Sequence, residues 1–353
     1  MPPDGATPFP NAALTWISTL PLFSRNPTVA VTTYHQVFEQ RSFEGSNMQE
    51  LAVLETMLKN GPLFERIPFK TIQGSAFTWN LEDELPQVQA RLLDEKPDGS
   101  RGSSVPQSEI LRIYTADIET DKSRIALDGA DAHDSQVLRN ARSLRMQMET
   151  DFVRGSSQTT GGRAMDGLAS KIPASSGNSQ AIANHATGGP LSLAALDELL
   201  AAVDGAPQDK VLIVPRAMQP KWRALARNQS LLGNIDTRIN ELGRLVTMYG
   251  ETEIIETDVD PTNSPIQPFN EGSGSNTASI YCVVFGEDTV LGIQGISLDG
   301  ENNPVEGLAV WDVGESYSTT HIKTRINLHA AMVIKNPRSA ARLYNITNAA
   351  IVA

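Results

Sequence analysis

The stretch that concentrates acidic and imidazole side chains holds Asp128, Asp131, His133 and Asp134. Such groups can ligate a divalent metal or act as general acid and base, so the cluster is the candidate site of a soluble hydrolase. Its spacing matches no standard metal-binding pattern, which favours a solvated loop that leads into a helix cap. We therefore expect no catalytic and no metal site here.

The other residues with reactive or ligating side chains are scattered. The histidines lie far apart, at His35, His133, His185, His321 and His329. The Gly-rich segment 155–163 lacks the Lys-Ser/Thr pair of a phosphate-binding loop and follows a predicted helix instead of a strand. The single cysteine, Cys282, excludes an intrachain disulfide, and its apolar neighbours predict a buried strand residue instead of a nucleophile. The sequence predicts neither an enzyme nor a cofactor.

Three arginines, Arg139, Arg142 and Arg145, lie close together on a predicted helix and suggest a contact with nucleic acid. The chain of 353 residues, however, carries 29 Lys and Arg against 41 Asp and Glu, a formal charge of −12. This balance argues against a protein that holds DNA through its net charge. We expect an ordinary polar helix face or a contact between subunits.

The spacing of apolar residues predicts helices at residues 47–60, 135–154, 191–203 and 219–228. The helix at 135–154 has a single apolar stripe, formed by Val137, Ala141, Leu144, Met148 and Phe152. Extended segments are predicted at residues 70–81, 109–118, 211–214, 244–256, 280–285, 290–296 and 321–334, with a last short segment at 340–347. Because helices and strands mix without a steady βαβ rhythm, the predicted fold class is α+β.

Two segments have no obvious means of stabilising themselves. Residues 1–46 are rich in proline but carry apolar residues such as Trp16 and Phe23, so we expect a strap across an apolar surface of its own domain or of a neighbour. Residues 82–108 are polar, with a Gly- and Ser-rich tip at 98–104, and separate two predicted strands. This pattern predicts a long hairpin arm, which is marginal alone in water and therefore points to a partner subunit.

No segment is long and apolar enough to span a membrane. The best N-terminal candidate, residues 12–23, is interrupted by Pro21 and lacks the positively charged start of a secretory signal. The expected location is the cytoplasm, or wherever an assembly made there ends up.

Several short segments follow one another in a distinctive order. They are IQGSAFTW at 72–79, DFVRG at 151–155, MDGL at 165–168, LSLAALDELL at 191–200, LGRLVTMYG at 242–250 and IYCVVFG at 280–286. From about residue 49 to the C-terminus, their order and spacing resemble the major capsid proteins of tailed bacteriophages, which have the Hong Kong-type capsid fold. The resemblance implies an N-terminal arm at 1–47, an extended loop at 70–118, a peripheral domain at 48–69, 119–190 and 315–353, and an axial domain at 191–314.

The resemblance also implies a structural function. Copies of the chain, as pentamers and hexamers, would close into an icosahedral head shell around packaged double-stranded DNA, held without sequence-specific binding. Scaffolding, portal and decoration proteins would be further partners, and the chain would be assembled in the host cytoplasm and end in the virion. Some relatives join subunits through Lys–Asn bonds, and Lys96 and Asn336 are the positions to consider, although nothing in their spacing requires it.

Three alternatives stay open at this stage. An encapsulin-like nanocompartment would share the fold but hold cargo enzymes. A tail or tube component would form rings or tubes. A soluble hydrolase would use the cluster at 128–134.

Overall fold

The computed structural model describes residues 31–352, apart from residues 45–47, 85, 89, 97–98, 100, 130, 176, 228–234, 240–244, 273 and 316–319. Residues 1–30, 45 and 46 of the predicted strap at 1–46 therefore lie outside the described residues. So does part of the predicted Gly- and Ser-rich tip at 98–104.

Eight α-helices are present among the described residues. They are α1 (Tyr34–Glu44), α2 (Met48–Asn60), α3 (Pro62–Arg66), α4 (Lys122–Asp128), α5 (Asp131–Arg154), α6 (Leu168–Lys171), α7 (Leu193–Ala201) and α8 (Gln219–Ala226). The four predicted helices correspond to α2, α5, α7 and α8. None of the described helices combines the length and the apolar character that crossing a membrane requires.

The strands are short, with one exception of 14 residues. They are β1 (Thr32–Thr33), β2 (Pro68–Ile72), β3 (Ala76–Glu84), β4 (Ser103–Ile110), β5 (Arg112–Asp121), β6 (Ala181–Ala183), β7 (Lys210–Val214), β8 (Ile235–Ile239), β9 (Leu245–Tyr249), β10 (Thr252–Glu256), β11 (Thr277–Val284), β12 (Val290–Leu298), β13 (Pro304–Glu306), β14 (Ala309–Glu315), β15 (His321–Ile334) and β16 (Ala340–Thr347).

Helix α1 was not predicted, because the sequence from residue 1 to 46 reads as an irregular strap. Tyr34 is buried and its ring stacks on Phe64, with 4.5 Å between the ring centroids. One side of α1 continues with Phe38, which packs on the same core, and with Arg41, which pairs with Glu50 of α2. The helical spacing of these three residues is the signal that the interpretation as a strap missed.

The first sheet has the strand order β1-β2-β12-β15-β14, with β13 beside β12 and β5 paired with β15. The long strand β15 is its centre, since it pairs with β5, β12 and β14 in antiparallel register. Helix α5 packs on β5 and β15, and α2 packs on α5. All five residues of the predicted apolar stripe of α5 are buried, which confirms that prediction.

The second sheet has the order β6-β16-β11-β7-β10-β9-β8. Strands β7 and β11 are buried along their whole length, as expected for strands that are covered on both faces. Alternate residues separate the two sides: Val211 and Ile213 join the core of α5 and the first sheet, whereas Leu212 and Val214 join a second core with α7 and α8. The mixture of helices and sheets confirms the predicted α+β class.

Strand pairing crosses the expected domain boundary near residue 314. Strands β12 and β14 pair with β15 in the first sheet, whereas β16 lies in the second sheet between β6 and β11. Hydrogen bonding between strands far apart in sequence determines which sheet each one joins, and linear order along the chain carries little information about it.

Candidate assembly surface at the β3–β4 hairpin

Strands β3 and β4 form a separate two-stranded sheet and pair with no other described strand. The register runs from Ala76 opposite Ile110 to Glu84 opposite Ser103. At the base, the backbone N–H of Leu111 donates to the Ser75 carbonyl at 2.9 Å. The predicted hairpin arm is therefore present, but the predicted strand at 109–118 is divided, because β4 ends at residue 110 and β5 belongs to the first sheet.

The hairpin has one apolar and one polar face. Side chains alternate along a strand, so Phe77, Trp79 and Leu81 share a face with Val105 of β4. The rings of Phe77 and Trp79 stack at 5.8 Å. Gln107 and Glu109 of β4 also lie on this face, near the base. Apart from Ile110 at the base, the opposite face carries mainly small or polar residues, among them Ala76, Thr78, Asn80, Ser104, Pro106 and Ser108.

The base of the hairpin is anchored to the body of the subunit. Phe77 and Trp79 pack against a small core of the first sheet that includes Ile293. Lys171, at the end of α6, places its Nζ 2.5 Å from a carboxylate oxygen of Glu109, and both side chains are largely buried. These contacts set the direction in which the hairpin leaves the body.

Between this base and the body lies an open groove. The apolar face of the hairpin lines one side, through Trp79 and Leu81. Ile172 and Ile334 are among the residues that line it from the body. The apolar face is thus only partly covered by its own subunit.

Further along the hairpin, apolar side chains are exposed. Val105 is 41% exposed, and beyond it Val88, Leu92 and Leu93 are 95%, 79% and 92% exposed. A group of exposed apolar side chains at one end of a hairpin marks a contact with another molecule. This outer half, residues 81–105, is the candidate assembly surface.

The strand that follows the hairpin is held in the first sheet by charges. Asp117 of β5 accepts two hydrogen bonds from Arg325 of β15, at 2.6 and 2.9 Å, and lies 2.8 Å from Lys323 Nζ. The hydrogen bonds from Arg325, with help from Lys323, lower the pKa of Asp117 to about 2. The hairpin therefore projects from a strand with a well-defined position.

The structure does not bring the cluster at 128–134 together. Asp128 ends α4 and accepts a hydrogen bond from Arg124, while Asp131 and Asp134 are exposed on the first turn of α5. The predicted solvated loop is wrong from Asp131 onward, because α5 already begins there and His133 is buried. Among the described residues no group of three or more His, Cys, Asp or Glu side chains is arranged to hold one metal ion.

His133 instead joins α5 to the first sheet. Its Nδ1 lies 2.9 Å from Thr120 Oγ1 of β5, and its Nε2 lies 2.7 Å from Thr324 Oγ1 of β15. The Thr324 hydroxyl donates to Asp312 of β14 at 2.5 Å, so its oxygen is left to accept a hydrogen bond from His133 Nε2–H. This contact positions the helix and was not visible in the sequence, where the acidic neighbours suggested solvent.

The other candidate residues differ in how far they are buried. Arg139 and Arg142 are exposed, as a polar face requires, but Arg145 is completely buried, and its Nη1 donates to Glu149 Oε2 at 3.0 Å. The sequence carries no local signal for this burial, since an Arg–Glu pair four residues apart is typical of an exposed helix face. Cys282 is a buried strand residue, as predicted, and burial raises the pKa of its thiol to about 12.

The two positions considered for a cross-link have different environments. Lys96 is exposed near the end of the hairpin. Asn336 follows β15, and its side chain accepts a hydrogen bond from the backbone N–H of Arg338 at 3.0 Å. Asn336 therefore has a local role in the turn before β16.

Several solved shell structures have the same fold. The chain is similar to the SrpI encapsulin of Synechococcus elongatus PCC 7942, with a TM-score of 0.57, 16% identity and coverage of 81% of this chain and 88% of that chain. It is similar to the capsid of a native GTA particle (0.56, 12%, 83% and 90%) and to the capsid of cyanophage A-1(L) (0.55, 14%, 84% and 93%). At such identities the likeness establishes the fold, which is that of tailed-phage capsids.

Sequence comparison adds the family. No curated protein sequence matches the chain. The model of a family described as the SU10 major capsid protein matches residues 30–264. This match confirms the resemblance of the segment order to phage major capsid proteins. Because it spans more than half of the 353 residues, the chain belongs to the SU10 major capsid protein family.

Proposed function

We propose that the chain is the repeating subunit of an icosahedral phage head, which copies of it, as pentamers and hexamers, close around packaged double-stranded DNA. The observation that carries this proposal is the hairpin, whose apolar face continues past the body of its own subunit. A second copy of the chain provides the missing cover, because every subunit in a closed shell can lend its hairpin to a neighbour.

The parts of the chain take separate roles in this proposal. The segments 48–69, 119–190 and 315–353, with α5 and the first sheet, form the peripheral domain, and 191–314, with most of the second sheet, forms the axial domain at the symmetry axes. Strands β12 and β14 connect the two, since they come from the axial segment and pair with β15. The extended loop at 70–118 and the arm at 1–47 reach neighbouring subunits.

The charge of the chain fits a container for DNA. A subunit with a formal charge of −12 repels the phosphate backbone, so the DNA is enclosed without being trapped on the wall. Assembly in the host cytoplasm with scaffolding, portal and decoration proteins, and a final location in the virion, complete the proposal. The role is structural and requires no catalysis.

The first experiment is expression of the full chain, sedimentation through a gradient, and negative-stain microscopy of the heavy fraction. Closed, round shells that hold nucleic acid are expected when scaffolding and packaging components are supplied. Shells that enclose enzymes instead would favour a nanocompartment, and rings or tubes would favour a tail component. Subunits that stay monomeric with a co-expressed scaffold would overturn the proposal.

A matched pair of variants tests the role of the hairpin. Val105→Asp places a charge on the apolar face, whereas Ser108→Asp places the same charge on the polar face of the same strand. We expect folded subunits from both and shells only from Ser108→Asp. Shells of normal yield from Val105→Asp would show that this face is not the assembly surface.

A further inference from the structure

A buried ionic cluster connects α5 to the second sheet. Arg145 and Glu149 of α5 are both almost completely buried, and Arg145 donates from Nη1 to Glu149 at 3.0 Å and from Nη2 to Asp258 at 3.3 Å. Asp258 lies just after β10 and also accepts from Arg216 Nη1 at 2.9 Å. The cluster thus contains two acids and two arginines, and one arginine bridges the two acids.

Glu149 has the least polar surroundings in this cluster. It is the one charged side chain among the residues that line a narrow cavity, whose other walls come from apolar residues such as Phe64 and Met148. The turn between α2 and α3 closes over it, since a Cβ atom on Gly61 would stand 2.8 Å from Glu149 Oε1. The carboxylate is therefore shielded from water.

The charged groups that face Glu149 are few. Its own helix contributes Arg145, and the loop after β10 contributes Asp258. Helix α3 contributes the backbone of Phe64, and the residues of β2 and of the rest of the first sheet that line the cavity are apolar. Burial raises the pKa of Glu149 to about 7, against the opposing effects of Arg145 and of a backbone hydrogen bond from Phe64, and with a smaller rise from Asp258.

Protonation of Glu149 does not leave a buried charge uncompensated. Removing one partner of a buried ion pair is usually strongly destabilising, because the remaining charge has no counter-ion. Here Arg145 keeps the carboxylate of Asp258 when Glu149 becomes neutral. The arrangement therefore tolerates both protonation states.

We propose that Glu149, Arg145 and Asp258 form a proton-dependent joint between α5 and the second sheet. When Glu149 is ionised, Arg145 is shared between two carboxylates. When Glu149 is protonated, Asp258 remains ionised beside Arg145 and its pairing with Arg145, which is the link to the second sheet, becomes stronger. The joint lies inside one subunit and does not depend on the proposed shell.

Asp258→Asn at two pH values tests the strength of the link. We expect this variant to lower the melting temperature more at pH 6 than at pH 8, with the assembly state at each pH checked by sedimentation. Asp260→Asn is the control, because Asp260 lies in the same loop and hydrogen-bonds Thr262 and Ser264. Its effect is expected to be equal at both pH values. Equal losses for Asp258→Asn would overturn the proposal.

Infrared difference spectroscopy tests the titrating group without requiring any variant to be stable at high temperature. Between pH 8 and pH 6, the wild-type chain is expected to gain the carbonyl band of a buried protonated carboxylic acid. Glu149→Gln removes this band, whereas Glu55→Gln, a change at a more exposed partner of Lys59, keeps it. A band unchanged in Glu149→Gln would overturn the joint. Both samples can be free subunits or shells, so this outcome is separate from the outcome of the assembly experiment.

Discussion

Helix α5 and the β3–β4 hairpin are both long amphipathic elements, but they bury their apolar sides differently. The stripe of α5, from Val137 to Phe152, is buried within the subunit along its whole length. The apolar face of the hairpin is partly covered at Phe77 and Trp79 and becomes exposed at Val105. The difference indicates that α5 stabilises the subunit itself, whereas the outer hairpin is available for contacts between subunits.

The largest expected effect is on α5. Leu144 is 7% exposed in the middle of the stripe, so Leu144→Asp places an unpaired charge in the core. We expect a loss of about 4 kcal/mol or more in the free energy of unfolding, enough to prevent folding. Soluble expression and circular dichroism show whether the variant folds. Ser143→Asp, one residue away on the exposed side, is the control and is expected to fold. A soluble, native-like Leu144→Asp would mean that the stripe does not hold the subunit together.

Both elements of this comparison were predictable from the sequence because each has a local signal. Apolar residues at helical spacing gave the stripe of α5, and a polar gap between two extended segments gave the hairpin arm. The end of the hairpin was predicted less well, since the single strand expected at 109–118 divides at Leu111 between the hairpin and the first sheet.

What the sequence did not reveal depends on residues far away in the chain. His133 points inward because hydroxyl groups on β5 and β15 receive its ring nitrogens. Arg145 is buried with Asp258, from the loop after β10, as one of its partners. The sequence places acids beside both residues, a pattern that is typical of solvent-exposed positions, so only the fold distinguishes them. In the same way, each sheet combines strands that lie far apart in the chain.

A second prediction separates folding from assembly by shortening the hairpin. Glu84 and Ser103 are opposite each other, so residues 85–102 can be replaced by Asn-Gly, which closes a two-residue turn. We expect the free energy of unfolding of the unassembled subunit to change by less than about 1 kcal/mol, because the removed residues contribute no buried apolar side chain among those described. Denaturant unfolding measures this.

The same variant is expected to yield no stable shells in the sedimentation experiment. The Ser108→Asp variant, which keeps the full hairpin, serves as the assembling control. If the shortened chain assembles normally, the outer hairpin is not needed for contacts between subunits, and the contrast with α5 fails. If it fails to fold, the outer hairpin contributes to the subunit in a way that its exposure does not indicate.

The smallest expected effect concerns the strand where the stable body meets the hairpin. Asp117 of β5 stabilises the pairing with β15 through Arg325 and Lys323, and its pKa in the fold is about 2, below the ordinary value of 3.8. Its contribution is therefore complete above about pH 4 and is lost as the pH falls through about 2. Because the side chain is 36% exposed, we expect Asp117→Asn to cost less than about 1 kcal/mol at neutral pH. In denaturant unfolding from pH 7 to pH 3, the difference from wild type stays constant down to about pH 4 and then shrinks. A difference that shrinks already between pH 7 and pH 5 would mean that Asp117 is not held ionised by these partners, and that the base of the hairpin is less firmly attached to the first sheet than the ion pairs indicate.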